Sequence, residues 1–267
     1  MIGISLVAVD LDGTLLTSEK TLAPEGARLL AQAARRGVHV VIATTRNPDY
    51  AREVCQQLAI REPIICTNGA QVWGSPDGPV WARYAMPQEV GLFLARLADE
   101  RNWELSITVG SVTYWRQRPG QALGQVSPYR TIVAHNADAV VGDVLRILAW
   151  DLQAIEAVRL LCETRFAAQC RTETFYRADG SVNSLGVFAP EANKGHALDL
   201  VLQRLGLGPE QAMAIGDNLN DLPMFAGARI SVALDNAPLE VKRKATAVAP
   251  SNDEEGVAWA LRAFGLC

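Results

Sequence analysis

Residues 5–14 read SLVAVDLDGT: a short apolar run, then Asp10 and Asp12 two positions apart, then Gly13 and Thr14. A brief apolar run closed by turn residues reads as a strand buried on both faces of a parallel sheet. Open α/β sheets place ligands beyond the carboxyl ends of their strands, and Asp10 stands at such an end. Two carboxylates this close repel unless a cation or a shared proton relieves them. Mg²⁺, which prefers hard oxygen ligands, is an apt solution. The plain alternative is an acidic turn closing a strand. Four fixed letters, each near one in twenty, recur by chance at only about 10⁻⁵ per position.

Working outward, similar apolar runs stand at 38–43 (VHVVIA), 212–215 (AMAI) and 230–233 (ISVA). Helical spacing follows or separates them. Pro24–Arg36 opens with a proline suited to a first turn and stops before Gly37. Pro48–Leu58, Gly195–Leu205, Asp221–Ala226 and Pro238–Lys244 read as further helices. The alternation predicts a doubly wound, mainly parallel, Rossmann-like α/β core.

The middle of the chain reads differently. Helices are expected over Pro87–Arg101 and Ile155–Thr164. A hairpin is expected from Glu104–Thr108 and Ser111–Trp115. Further strands are expected at Phe166–Arg171, Thr174–Tyr176 and 184–188, with a loop over Arg116–Tyr129. This α+β order predicts an inserted domain at 82–189, with 1–81 and 190–267 forming the core domain.

Composition narrows the function classes. The chain has 267 residues, 49% of them apolar and 20% charged, enough for a packed core and against disorder. A net charge of −4 argues against nucleic-acid or anionic-membrane partners. No apolar run reaches the roughly 18 residues of a membrane span, and the N-terminal stretch lacks a cationic start and an h-region. A cytoplasmic location is expected. Five cysteines without a C-x-x-C pair and three scattered histidines argue against a disulfide framework and a structural zinc site.

A second acidic cluster, GDNLND at 216–221, also follows an apolar run. Asp217 stands at the strand end and Asp221 four positions on, so a helix starting between them would let both face one site. Taken alone, the pattern is equally a loop and a capped helix. Thr44 ends the 38–43 run at the same edge, with Arg46 two residues on. A hydroxyl and backbone N–H groups there suit phosphate oxygens, although Thr44 is equally an ordinary helix cap before Pro48. Lys194 starts a helix, where its charge opposes the helix dipole. A bound anion explains it better, while a solitary lysine is ordinarily a surface residue.

Taken in order, Asp10-x-Asp12-Gly13-Thr14, Thr44, Lys194 and Gly216-Asp217-x-x-Asn220-Asp221 resemble the four motifs of the haloacid dehalogenase superfamily. Ala43-Thr44-Thr45-Arg46, Thr67-Asn68-Gly69-Ala70 and Asn193-Lys194-Gly195 resemble its Cof-type subfamily, in which a large α/β cap is inserted between the second and third motifs. The resemblance implies a Mg²⁺-dependent phosphatase acting on a small phosphomonoester such as a sugar phosphate. It implies Asp10 as nucleophile and Asp12 as general acid and base, with Lys194 offsetting charge. It implies Thr44, Asn220 and, more loosely, Arg46 as phosphate contacts. Mg²⁺ would be held by Asp10, the Asp12 backbone carbonyl and Asp217, with Asp221 close by or one shell out. The whole reading requires the carboxylates at 10, 12 and 217 to gather at one ion.

Two positions depart from the subfamily pattern. Thr45 stands where glycine is usual, which would strain it if φ is positive there. Asn193 replaces Ser or Asp before the lysine and can still cap. Trp115, Arg116, Arg118, Tyr129 and Arg130 are candidate substrate contacts, though core aromatics and solvated arginines are the commoner roles. Rival readings are a phosphotransferase or sugar-phosphate mutase on the same scaffold and a non-catalytic phospho-ligand binder. Monomer and homodimer are not distinguished.

Overall fold

A computed structural model of the chain describes residues 3–116, 130–177 and 180–267. In chain order the elements are β1 (Leu6–Val9), α1 (Pro24–Arg35), β2 (His39–Ala43), α2 (Pro48–Leu58), β3 (Ile64–Cys66), β4 (Gln71–Trp73), β5 (Val80–Arg83), α3 (Gln88–Glu100), β6 (Leu105–Val109), β7 (Val112–Arg116) and β8 (Arg130–Val133). There follow β9 (Val144–Ala149), α4 (Leu152–Thr164), β10 (Arg171–Tyr176), β11 (Val182–Phe188), α5 (Lys194–Leu205), β12 (Ala212–Gly216), α6 (Leu222–Ala226), β13 (Ile230–Leu234), α7 (Leu239–Lys244), β14 (Ala247–Ala249) and α8 (Gly256–Ala263). They divide into two compact units, Met1–Ala82 with Asn193–Cys267, and Arg83–Ala192.

The first unit is built on an eight-stranded sheet in the order β14-β13-β12-β1-β2-β3-β4-β5. The pairs from β14 through β3 are parallel, and β4 runs antiparallel to β3. Side chains on a strand alternate between faces, and β1 uses both. Val7 and Val9 enter the core packed by Leu30 of α1, Val54 of α2 and Leu261 of α8. Leu6 and Ala8 enter the opposite core with Leu198 of α5 and Phe225 of α6. Both cores need apolar side chains, each aliphatic one contributing about 1.5–3 kcal/mol on full burial. That is why the run carries no charge until it leaves the sheet at Asp10.

Registers fix the edge where function gathers. Val9 lies opposite Ile215 on β12 and Ile42 on β2, so Asp10, Asp217 and Thr44 leave the sheet at its carboxyl edge. The Asp10 N–H bonds Ile215 O at 3.0 Å, and the Thr44 N–H bonds Ile65 O at 2.8 Å.

The second unit has a six-stranded sheet in the order β10-β11-β9-β6-β7-β8. One face is packed by α3 and α4 through Val90, Leu94, Ile155 and Val158. The expected hairpin is present as β6 and β7, in antiparallel register from Ser106 and Trp115 to Val109 and Val112. Phe166–Arg171 is not the expected strand. The Phe166 carbonyl accepts the N–H groups of Gln169 and Cys170, at 2.8 and 3.0 Å, which coils the segment into a turn. Extended structure begins only at Arg171. Strand β9 was not read from the sequence, because Arg146 interrupts its apolar run, yet it pairs with both β6 and β11.

Arg116 is buried, 3.6 Å from Asp99, so it is a core ion pair and not a solvated arginine. Trp115 stacks on Trp150 with ring centroids 5.4 Å apart, and Arg130 lies over Trp115 at 4.2 Å. Arg118 and Tyr129, and nearly all of the expected 116–129 loop, lie outside the described residues. Among the described residues, no helix is long and apolar enough to cross a membrane.

Candidate active site

The loop after β1 turns at Gly13, whose φ is +82°. A Cβ there would strike the Asp217 carboxylate, so close approach and left-handed backbone both demand glycine. Thr14 Oγ1 donates to Asp217 Oδ1 at 2.6 Å and so joins the first acidic loop to the second.

Asp10, Asp217 and Asp221 each offer a carboxylate oxygen, all within 4.8 Å of one another and all buried. Lys194 is fully buried among them, its Nζ 2.5 Å from Asp10 Oδ1 and 2.6 Å from Asp221 Oδ1. Asn193 caps α5 by accepting the His196 N–H at 2.9 Å, which starts the helix so that Lys194 turns inward. The second Asp221 oxygen accepts the N–H groups of Asp217 and Asn218, at 2.9 and 3.0 Å. Asp221 therefore shapes its own loop and also anchors the lysine.

The charges do not balance within this cluster. Burial pushes the Asp10 carboxyl up to about 7, against the pull of Lys194 and with the push of Asp221. Burial, then Asp10 and Asp221, push Asp217 well above the carboxylate range. Burial would lower the Lys194 pKa, but Asp10 and Asp221 outweigh it and hold the ammonium charged. Were all three carboxylates ionised, one ammonium would leave two negative charges, which a divalent cation would complement. Hard oxygen donors suit Mg²⁺, so the residues present fit that ion.

Asp12 lies apart from this cluster. The Arg46 guanidinium grips both its oxygens at 2.7 Å, and Lys20 Nζ adds a contact at 3.2 Å. Burial alone would raise the Asp12 pKa; Arg46 and Lys20 reverse that and lower it. The expectation that the carboxylates at 10, 12 and 217 converge therefore becomes a gathering of 10, 217 and 221. The reason is that Arg46 outcompetes the cluster for Asp12. A metal contact from residue 12 would come from its backbone carbonyl.

Thr44 is fully buried at the sheet edge, and its Oγ1 accepts the Arg46 N–H at 3.1 Å. It does not cap α2, because Asn47 does, accepting from Tyr50 N at 3.2 Å. Thr45 is absent from the residues with positive φ, so threonine in place of glycine carries no left-handed strain. Asn220 donates Nδ2 to Asn68 Oδ1 at 3.1 Å. Thus Asp10, Lys194, Asp217 and Asp221 stand together, Thr44 lies on the same sheet edge, and Arg46 is engaged with Asp12.

Asn236 belongs to the site and was missed. Its Nδ2 donates to Gly13 O at 2.8 Å and to Asp217 Oδ2 at 3.4 Å. The sequence marks this place only by the polar pair Asp235-Asn236 after the apolar 230–234 stretch, and does not single out Asn236.

The match to known proteins spans the chain. A family model described as haloacid dehalogenase-like hydrolase covers residues 7–261. The 5-amino-6-(5-phospho-D-ribitylamino)uracil phosphatase of Bacillus subtilis (strain 168) is 29% identical over 266 residues, covering 99% of this chain and 97% of that protein. The pyridoxal phosphate phosphatase of Escherichia coli (strain K12) is 27% identical over 262 residues, covering 95% and 96%. A haloacid dehalogenase-like hydrolase from Bacteroides thetaiotaomicron superposes with a TM-score of 0.83 at 22% identity, over 98% of this chain and 99% of that one. The doubly wound core, the acidic edge and the family model agree: the chain belongs to the haloacid dehalogenase-like hydrolases.

Proposed function

We propose that this protein is a Mg²⁺-dependent phosphatase that hydrolyses a small phosphomonoester through an aspartyl-phosphate on Asp10. The observation that carries the reading is the buried meeting of Asp10, Asp217 and Asp221 around one ammonium, Lys194. A surface ion pair has no need of three buried carboxylates, whereas phosphoryl transfer needs a dense, preorganised field.

Asp10, Asp217 and the Asp12 backbone carbonyl would hold the ion, with Asp221 beside them. Mg²⁺, when bound, supplies the positive charge that lets an anionic nucleophile approach an anionic phosphate. Lys194 occupies Asp10 Oδ1, which leaves Oδ2 as the attacking oxygen. Lys194 and the hydroxyl of Thr44 would then meet charge on the phosphoryl oxygens, with the Asn220 amide as a further donor. Asp12 serves as acid and base in turn. Its pairing with Arg46 keeps it ionised, which suits taking a proton from the hydrolytic water. Donating a proton to the leaving oxygen requires Arg46 to release it.

Residues 83–192 are proposed as the cap that excludes water and selects the substrate. Within the phosphatase class, the relatives' names suggest small phosphorylated metabolites.

The test is turnover of para-nitrophenyl phosphate by wild type and Asp10→Asn, with and without Mg²⁺. Activity that survives the substitution, or survives chelation, contradicts the reading.

A further inference from the structure

Three consecutive residues, Thr67, Asn68 and Gly69, hold left-handed backbone, with φ of 52°, 58° and 88°. Glycine adopts this conformation freely and asparagine tolerates it, but a β-branched threonine there is a true outlier. Thr67 and Asn68 are also buried, so no solvent-facing turn is being accommodated. Strain of this kind persists only where the surroundings over-determine it, and it gathers at functional sites.

The surroundings here are the other loops of the site. The Thr67 N–H donates to Arg46 O at 2.8 Å, and the Asn68 N–H to Thr44 O at 3.0 Å. Gln71 Nε2 braces Thr67 Oγ1 at 3.2 Å. A Cβ on Gly69 would strike the Asn193 carbonyl and the Lys194 nitrogen, so the turn abuts the start of α5. Asn68 Oδ1 accepts from Asn220 Nδ2 at 3.1 Å. One strained turn thus touches the Thr44–Arg46 loop, the Lys194 helix start and Asn220, three elements far apart in sequence. A core turn would have no reason to choose those three neighbours.

We propose that the Thr67–Gly69 turn holds the phosphate-binding groups in register, and that Asn68 is a positioning residue fixing the Asn220 amide toward a bound phosphoryl group. This rests on the phosphate-site reading above. Asn68 is not a catalytic residue; it acts through Asn220.

The test uses Asn68→Gly, Asn220→Ala and the double variant of the full chain. Glycine takes the φ of position 68 without strain, so Asn68→Gly should still fold, melting lower only by what loss of the buried Asn220 hydrogen bond costs. Its kcat/KM for para-nitrophenyl phosphate should nonetheless fall about tenfold, the scale of one well-made hydrogen bond to a charged group. The inhibition constant of inorganic phosphate should rise by a similar factor. Whatever the melting point, the double variant decides. If Asn68 acts through Asn220, the double variant is no worse than Asn220→Ala alone, within about twofold. Losses that multiply, or an Asn68→Gly protein with wild-type kcat/KM and phosphate affinity, overturn the proposal. A wild type that hydrolyses no phosphomonoester overturns the phosphatase reading instead. Calorimetric binding of inorganic phosphate to the same variants then judges the role of Asn68 separately.

Discussion

Lys194 Nζ and Asp221 Oδ1 lie 2.6 Å apart, and neither side chain has any solvent exposure. A fully buried ion pair is costly to assemble and more costly to break. Asp221 also closes its own loop through two backbone N–H groups, so the lysine is tied to the loop that carries Asp217.

Lys194→Met should therefore destabilise the protein by about 3–5 kcal/mol, the usual cost of stranding a buried charge. Urea denaturation measures it. Because the substitution leaves three carboxylates unopposed, added Mg²⁺ should recover part of the loss. A variant as stable as wild type without Mg²⁺ would show that the carboxylates are not ionised together.

Gly13→Ala tests the joint between the two acidic loops. The new methyl group meets the Asp217 carboxylate, and the backbone at φ +82° resists any L side chain. Calorimetric Mg²⁺ affinity and phosphatase activity should both collapse, with the far-ultraviolet circular dichroism spectrum retained. Wild-type Mg²⁺ affinity in this variant would separate Asp217 from the metal.

Much of this was legible in the sequence and some was not. The apolar runs ending at Asp10, Thr44 and Asp217 revealed the sheet edge, because parallel strands buried on both faces leave a continuous apolar signature. Strand β9 escaped because Arg146 sits inside it, and the 166–171 turn was misread because Phe166, Ala167, Ala168 and Cys170 imitate a strand's apolar content, although only Phe166 and Cys170 are buried. The choice of Asp12's partner escaped for a different reason. Periodicity tells where a carboxylate leaves a strand, not which of two neighbouring cations reaches it first, and Arg46 is 34 positions away. Asn236 escaped because a lone asparagine past a strand has no distinctive spacing.

Arg46→Met should change stability on the acid side. Asp12 has a folded-state pKa below its unfolded value. The stability it contributes is present above the unfolded carboxylate pKa and is lost as pH falls through the lowered one. Removing Arg46 takes away most of the depression, so this variant should gain less stability than wild type as pH rises from about 2 to 5. Melting temperatures across that range measure it. Parallel curves for the two proteins would show that the Arg46 pairing is not formed in solution.

Mg²⁺ should raise the melting temperature of wild type by mass action, and should do so far less for Asp217→Asn. An equal rise in both proteins would place the ion elsewhere.

The most direct measurement is a phosphoryl trap on Asp10. Asp12→Ala removes the group that activates water, so the covalent intermediate should accumulate. The variant is mixed with para-nitrophenyl phosphate and Mg²⁺, quenched in acid, digested and read by mass spectrometry. A phosphoryl group is expected on the peptide carrying Asp10, and none when Asp10→Asn is added to the same background. Turnover by wild type with no phosphorylated peptide in the trapped variant, or a phosphoryl group on another residue, would contradict the account.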